Sequence, residues 1–298
     1  MSEILTKYQS EMNANNIAQK AKLFRKKLFE ATENYNSRAT LLSKMNTFIK
    51  NKFGITAYNQ NYKLLLMNKA DKKVLIKNQQ DNYLNKLDHR LSIDYTTYID
   101  LINTFKNSRN YYDNVCCLLM ASYRRPIEIM KVGVFSKSTS TEFPNMIHMT
   151  GIAKKKGNGI VTAVDFPLIE LNTDEFLRIL TNIRTKKDFK DVDNSKVSTQ
   201  TNARLNTRFN VLSKDQNITA DIIRGVGVDI IYKRYCNPNT SEIKFKARML
   251  GHEDLNTVAM HYSKSYVSNY IKYSDISDAN NKIDKLVKLV EELMKKIK

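Results

Sequence analysis

The first 125 residues contain no proline; the first one is Pro126. Proline removes a backbone donor and clashes with the preceding turn, so its absence leaves this stretch open to helix. Apolar residues recur there at helical spacing: Ile17, Leu23, Phe24 and Leu28, then Leu41, Leu42, Met45, Phe48 and Ile49. The spacing predicts helix over 3–53, with Gly54 as its C-terminal stop. A second, basic helical region is expected over 58–87, which makes the first third all-helical.

The pattern restarts at "HRLSIDYTTYIDLINTF", where Ser92 and Asp94 are cap-type residues. The domain boundary therefore falls near His89, with a basic helical N-terminal domain over 1–89. Helices are expected over 95–106 and 109–122. Pro126 then suits the first turn of a new helix and Glu128 its N-terminus.

From Met146 the period changes to alternation on both sides of a Gly-Asn-Gly turn, the signal of a β-hairpin. Its tip carries Lys154, Lys155 and Lys156. Helix resumes with Thr173 as N-cap, then over about 200–213 and 218–235, then from an Asn239 or Thr240 cap to Gly251 as the C-terminal glycine. Ile276, Ala279, Ile283, Leu286, Val290, Leu293 and Ile297 form a heptad seam, so 273–298 reads as a C-terminal heptad helix. It could oligomerise or pack on its own domain. The fold class expected is mainly α with a small antiparallel β element, α+β.

Charge narrows the partner. The 298 residues hold 49 Lys and Arg against 30 Asp and Glu, a net +19. Residues 1–90 alone hold 17 against 7, more than half of that excess. A balance this basic fits a polyanion, nucleic acid before membrane, since neutralising phosphates releases counterions, and it marks 1–89 as the expected DNA-binding domain. No apolar run reaches membrane-spanning length and the N-terminus lacks a secretory pattern, so a cytoplasmic protein with no membrane partner is expected. Cys116, Cys117 and Cys236 have no zinc-site spacing and suit packing.

Three separated features call for a common explanation: "SYRRPIEI", the lysine-tipped hairpin, and "RMLGHEDLNTVAMHYSKSY". Each alone has a bland reading, as a surface ion pair, a solvated turn and a structural histidine. Together and in this order they resemble the tyrosine recombinase superfamily. The segments "LLMASYRRPIEIMKVGVF", "IAKKKGNGIVTAVDFP" and "MLGHEDLNTVAMHY" are more closely similar to the telomere resolvases, or protelomerases, of spirochaetes and linear-plasmid phages. The resemblance covers roughly 90–270 and implies a tyrosine-recombinase-like catalytic domain over 90–272.

The resemblance implies these roles. Arg125, in Arg-x-x-Glu, and Arg224, which stands 28 residues before His252, would stabilise the transition-state phosphate. His252 would donate to the phosphate or help deprotonate the nucleophile, and Lys154 would protonate the leaving 5′-oxygen. Tyr262 would be the nucleophile, leaving a 3′-phosphotyrosyl link; Tyr266, one helical turn on, is the alternative. A free phenol titrates at about pH 10, so such a nucleophile needs cationic surroundings. Arg124, Lys155 and Lys156 would contact DNA.

Where the superfamily often has His or Lys three residues before the second arginine, this chain has Asp221, expected to pair with a base or cap a helix. No cofactor, metal or ATP is expected. The implied function is to cut and rejoin double-stranded DNA at inverted repeats into covalently closed hairpin ends, as a homo-oligomer, a dimer on DNA. Two alternatives stay open: an integrase-like recombinase exchanging strands between two duplex sites, and a non-catalytic DNA-binding relative.

The step from His252 to Tyr262 is ten residues. In one continuous helix they would stand about 15 Å apart, too far to share a phosphate. Gly251 ending one helix and Asn256 capping the next would bring them together.

Overall fold

The computed structural model describes residues 2–153, 163–237, 239–252, 255, 258, 262 and 264–270. Lys154, Lys155, Lys156, Asn256 and the heptad segment lie outside them. The chain divides into two compact units, Met1–Lys86 and Leu87–Lys298. No described helix is long and apolar enough to cross a membrane.

The first unit is helical: α1 (Ser2–Glu11), α2 (Ile17–Ala31), α3 (Tyr35–Asn61), a 3-10 turn (Tyr62–Leu65), and α4 (Lys69–Asp88), which runs on past its end. Ile17, Ala21, Phe24 and Leu28 of α2 meet Leu41, Leu42, Met45 and Ile49 of α3 in one buried cluster. Gly54 leaves helical geometry at φ 86° and ends the first of two helical segments within α3, as expected; the second runs on to Asn61. The basic helical region expected over 58–87 is helical on both sides of a break between Tyr62 and Asn68.

The second unit begins with β1 (Leu91–Asp94), α5 (Tyr95–Lys106) and α6 (Tyr111–Ser122). Asp94 and Asn110 cap these helices, their side chains accepting from Thr97 N and from Tyr112 N and Asp113 N. Helix α6 is buried on all sides, including Cys116 and Cys117, whose thiols burial pushes up, that of Cys117 to about 12.

Beyond Pro126 the chain forms a π-helical turn, Glu128–Val132, instead of the expected α-helix. Arg184 satisfies its end, donating from Nε to Ile129 O at 3.0 Å and from Nη2 to Glu128 O and Gly133 O.

An antiparallel sheet follows, β2 (Val134–Lys137), β3 (Met146–Thr150) and β4 (Ala163–Pro167), ordered β2-β3-β4. The alternating stretch supplies β3 and β4, and β2 adds a third strand that the sequence reading lacked. Helices α7 (Thr173–Lys186), α8 (Asn194–Phe209), α9 (Ala220–Tyr235) and α10 (Glu242–Leu250) surround the core. The cap of α7 is Asn172, one residue before the expected Thr173, in a reciprocal capping box with Glu175. The residue preceding α10 is Ser241, not Asn239 or Thr240. The chain then reaches β5 (Ser265–Ser268), which pairs parallel with β1.

Candidate active site

Four elements bring the site together: the end of α6, the π-turn, α9 and the end of α10. After α6, Tyr123 adopts the left-handed conformation, φ 45°, fully buried with its hydroxyl donating to Pro167 O at 3.1 Å. A non-glycine residue rarely sits there, and packing holds it in place. That reversal sends Arg124 inward and leaves Arg125 facing the site.

Arg124 is therefore not a surface DNA contact, as its place in the double arginine led one to expect. It is 1% exposed, donates to Ser122 O and Met249 O, and lies 4.0 Å over the Phe166 ring. Arg224 does a matching task from α9: its Nη2 donates to Leu250 O at 2.9 Å. The two guanidiniums thus meet the last carbonyls of α10, where a helix C-terminus attracts cations.

That end is also a Schellman motif. Gly251 is left-handed at φ 67°, its N–H donates to Arg248 O, and His252 N–H donates to Ala247 O. Gly251 acts as expected from the sequence, and the turn aims His252 into the site. Beyond it Leu255, Val258 and Tyr262 are helical and share a face by their three- and four-residue spacing.

The geometry then closes. Tyr262 Oη lies 3.3 Å from His252 Nε2, and Arg125 Nη2 lies 3.1 Å from the same nitrogen. Arginine can only donate, so Nε2 accepts and the neutral imidazole carries its proton on Nδ1. Burial together with Arg224, Arg125 and Arg124 drives the His252 pKa down to about 3, so it is neutral near pH 7. The Arg224 guanidinium carbon stands 5.4 Å from the Tyr262 ring centroid.

Glu128 holds this array, a role its place as a helix-opening acid did not reveal. Fully buried, it accepts from Arg125 N and Arg125 Nη1, both at 2.9 Å, and from Ala153 N at 3.2 Å. Burial alone would raise its pKa, but Arg224, Arg125 and Arg124 outweigh it and hold Glu128 at about 2. Arg224 Nη1 stands 3.9 Å from Glu128 Oε2, near enough for attraction and too far for a hydrogen bond.

Arg224 Nε and Nη1 consequently have no hydrogen-bond partner among the described residues, although buried. Buried donors left unpaired are costly, and are found where a site awaits an acceptor. Three guanidiniums against one carboxylate leave the pocket at net +2 with His252 neutral. Such a pocket can bind an oxyanion beside a phenol whose proton a neutral imidazole can accept.

Tyr266 is excluded from it. It lies on strand β5, not on a helical turn beyond Tyr262, with the Arg90 guanidinium 4.9 Å from its ring centroid. Asp221 is exposed in the first turn of α9.

Over 193 residues the chain is 28% identical to "Telomere resolvase ResT" of Borreliella burgdorferi, covering 63% of this chain and 42% of that protein. It thus spans about two-fifths of the length of that relative. Protelomerase TelA covalently complexed with substrate DNA superposes with a TM-score of 0.75 at 17% identity, covering 93% of this chain and 90% of that one. Protelomerase TelK complexed with substrate DNA gives 0.59 at 20% identity, covering 91% and 58%. At these identities the two likenesses are of fold. The model of the telomere resolvase ResT/TelK catalytic domain matches residues 89–268, well over half of the sequence, and the chain belongs to that family.

Proposed function

We propose that the chain is a telomere resolvase that cleaves DNA at inverted-repeat replicated telomeres and rejoins it into covalently closed hairpin ends. The observation that carries this is the 3.3 Å approach of Tyr262 Oη to His252 Nε2 beside the two unpaired N–H groups of buried Arg224. Support also comes from its relatives: one bears the name telomere resolvase, and a TelA mutant is complexed with a DNA hairpin product.

In this reading the scissile phosphate accepts from Arg224 Nε and Nη1 and draws Arg125 Nη2 off His252. The Nε2 lone pair is then left to the Tyr262 hydroxyl and takes its proton. Tyr262 Oη attacks phosphorus, the bond to the 5′-oxygen breaks, and Lys154 supplies that oxygen with a proton. Fixed guanidinium forks carry the added charge on the non-bridging oxygens.

The phosphotyrosine conserves the bond energy, and the 5′-hydroxyl of the opposite strand reverses the steps to close a hairpin. Lys155 and Lys156 contact flanking phosphates. The active species is a dimer on double-stranded DNA in the cytoplasm.

The test is a plasmid carrying the cognate inverted repeat, incubated without metal or ATP. Linear products that snap back after denaturation are expected, and Tyr262→Phe should abolish the covalent adduct while keeping DNA binding. Strand exchange between two sites without hairpins would establish the integrase-like reading instead. Absence of any adduct on a nicked duplex would leave only DNA binding.

A further inference from the structure

Strand β5 begins three residues after Tyr262 and, among the described residues, has a neighbouring strand on one edge only, β1, whose Leu91 N–H donates to Lys264 O. In a strand, successive residues turn their N–H and C=O groups to opposite edges, so those of Val267 face away from β1. Both are met by side chains of α9. Asp229 Oδ2 accepts from Val267 N at 3.0 Å, and Lys233 Nζ donates to Val267 O at 2.6 Å.

The two side chains pair with each other at 3.2 Å, and Lys246 Nζ donates to the other oxygen of Asp229 at 2.7 Å. Asp229 and Val267 are 3% and 1% exposed, so this backbone unit would otherwise be buried without partners. An acid and a base four residues apart on one helix face thus do the work of a missing third strand.

Helix α9 also carries Arg224. Asp229 follows it by five residues, about 7.5 Å along the axis. Ser265 packs beside Gly225, where an added Cβ would stand 2.8 Å from Ser265 Oγ and 3.8 Å from Tyr262 Cα. The strand after Tyr262 is therefore referenced to the helix that holds the phosphate-binding guanidinium.

We propose that Asp229 and Lys233 are positioning residues for the nucleophile: a side-chain clamp on the open edge of β5 that registers Tyr262 against Arg224 and His252. The inference rests on the reading of Tyr262 as nucleophile. It gives α9 two tasks, binding the phosphate and aiming the phenol at it.

The test uses the full chain and a nicked duplex bearing the cognate inverted repeat, with single-turnover adduct formation and DNA affinity measured side by side. Lys233→Met removes the bond to Val267 O but keeps the buried Asp229–Lys246 pair; the Lys233 side chain is 31% exposed, so no buried hole results. It should bind DNA as the parent does and form adduct at least about tenfold more slowly, since small misplacements of a reacting group are costly. Lys233→Arg should recover part of the rate. Asp229→Asn, which keeps an oxygen for Val267 N–H, should fall between parent and Lys233→Met.

A second readout isolates aim from chemistry. In a Tyr262→Ala background, with hydrogen peroxide added as a nucleophile at the same phosphate, Lys233→Met should leave the rate unchanged. Parental adduct rates in Lys233→Met, or equal losses with tyrosine and peroxide, would overturn the clamp alone. Adduct formation by Tyr262→Phe would instead remove the functional reading and the clamp with it.

Discussion

At the scale of single residues, the site depends on one anion among cations. Glu128 is the only carboxylate bonded to Arg125 among the described residues, and it also fixes Ala153 at the start of the hairpin tip. Removing one partner of a buried charge pair typically costs about 3–5 kcal/mol, because the remaining charge is left uncompensated. Glu128→Gln should therefore lower stability by that order and slow cleavage, since both oxygens are bonded to groups that only donate. The pH dependence has a definite sign. The folded pKa of about 2 lies below the ordinary 4.5, so the stabilisation is present above pH 4.5 and is lost as pH falls towards 2. Urea unfolding between pH 2 and 6 should show a steeper acid loss in the parent than in Glu128→Gln; parallel curves would refute the assignment.

At the scale of elements, close approach decides what the sequence could reveal. Gly227 on α9 faces the turn that orients both arginines: an added Cβ would stand 2.8 Å from Tyr123 Cβ and 3.2 Å from Tyr98 Oη. Helix propensity alone favours Gly→Ala by about 1 kcal/mol. Overpacking typically costs about 1–3 kcal/mol, and Tyr123 is fully buried, so the contact should win. Gly227→Ala is expected to lower the denaturant midpoint, where a surface helix glycine would raise it. The same packing explains which features were legible. Gly251 could be read as a helix end because its signal is local, whereas His252 and Tyr262 were legible through the family resemblance of the segment that carries them. The inward turn of Arg124 was not legible, since two adjacent arginines look alike until Tyr123 reverses the chain. Nor was β5, whose partner β1 lies more than 170 residues away and whose Tyr266 falls one helical turn beyond Tyr262 by spacing alone. Glu128 was visible as a motif member, but its bonds to groups from two elements appear only in three dimensions.

At the scale of the whole molecule, charge and core are divided differently. The unit Met1–Lys86 carries 16 Lys and Arg against 6 Asp and Glu, a net +10, and the remaining 212 residues carry +9. The excess is thus nearly three times as dense in the unit without the site. Each unit has its own buried cluster, one formed by residues between Leu5 and Leu65 and the other by residues between Leu91 and Val267, with no residue shared. The segment 87–298 should therefore fold alone and keep its nucleophile geometry, because every described site residue and both strands of the β1–β5 pair belong to it. What it should lose is electrostatic grip. Each phosphate neutralised contributes about 0.9 to the slope of log affinity against log salt. Binding to one DNA duplex, measured from about 50 to 200 mM salt, should give a markedly shallower slope for 87–298 than for the full chain. Adduct formation at saturating protein should fall much less than affinity does. Equal slopes would mean that the basic charge of the first unit does not meet phosphate, and its place as the DNA-gripping unit would have to be given up.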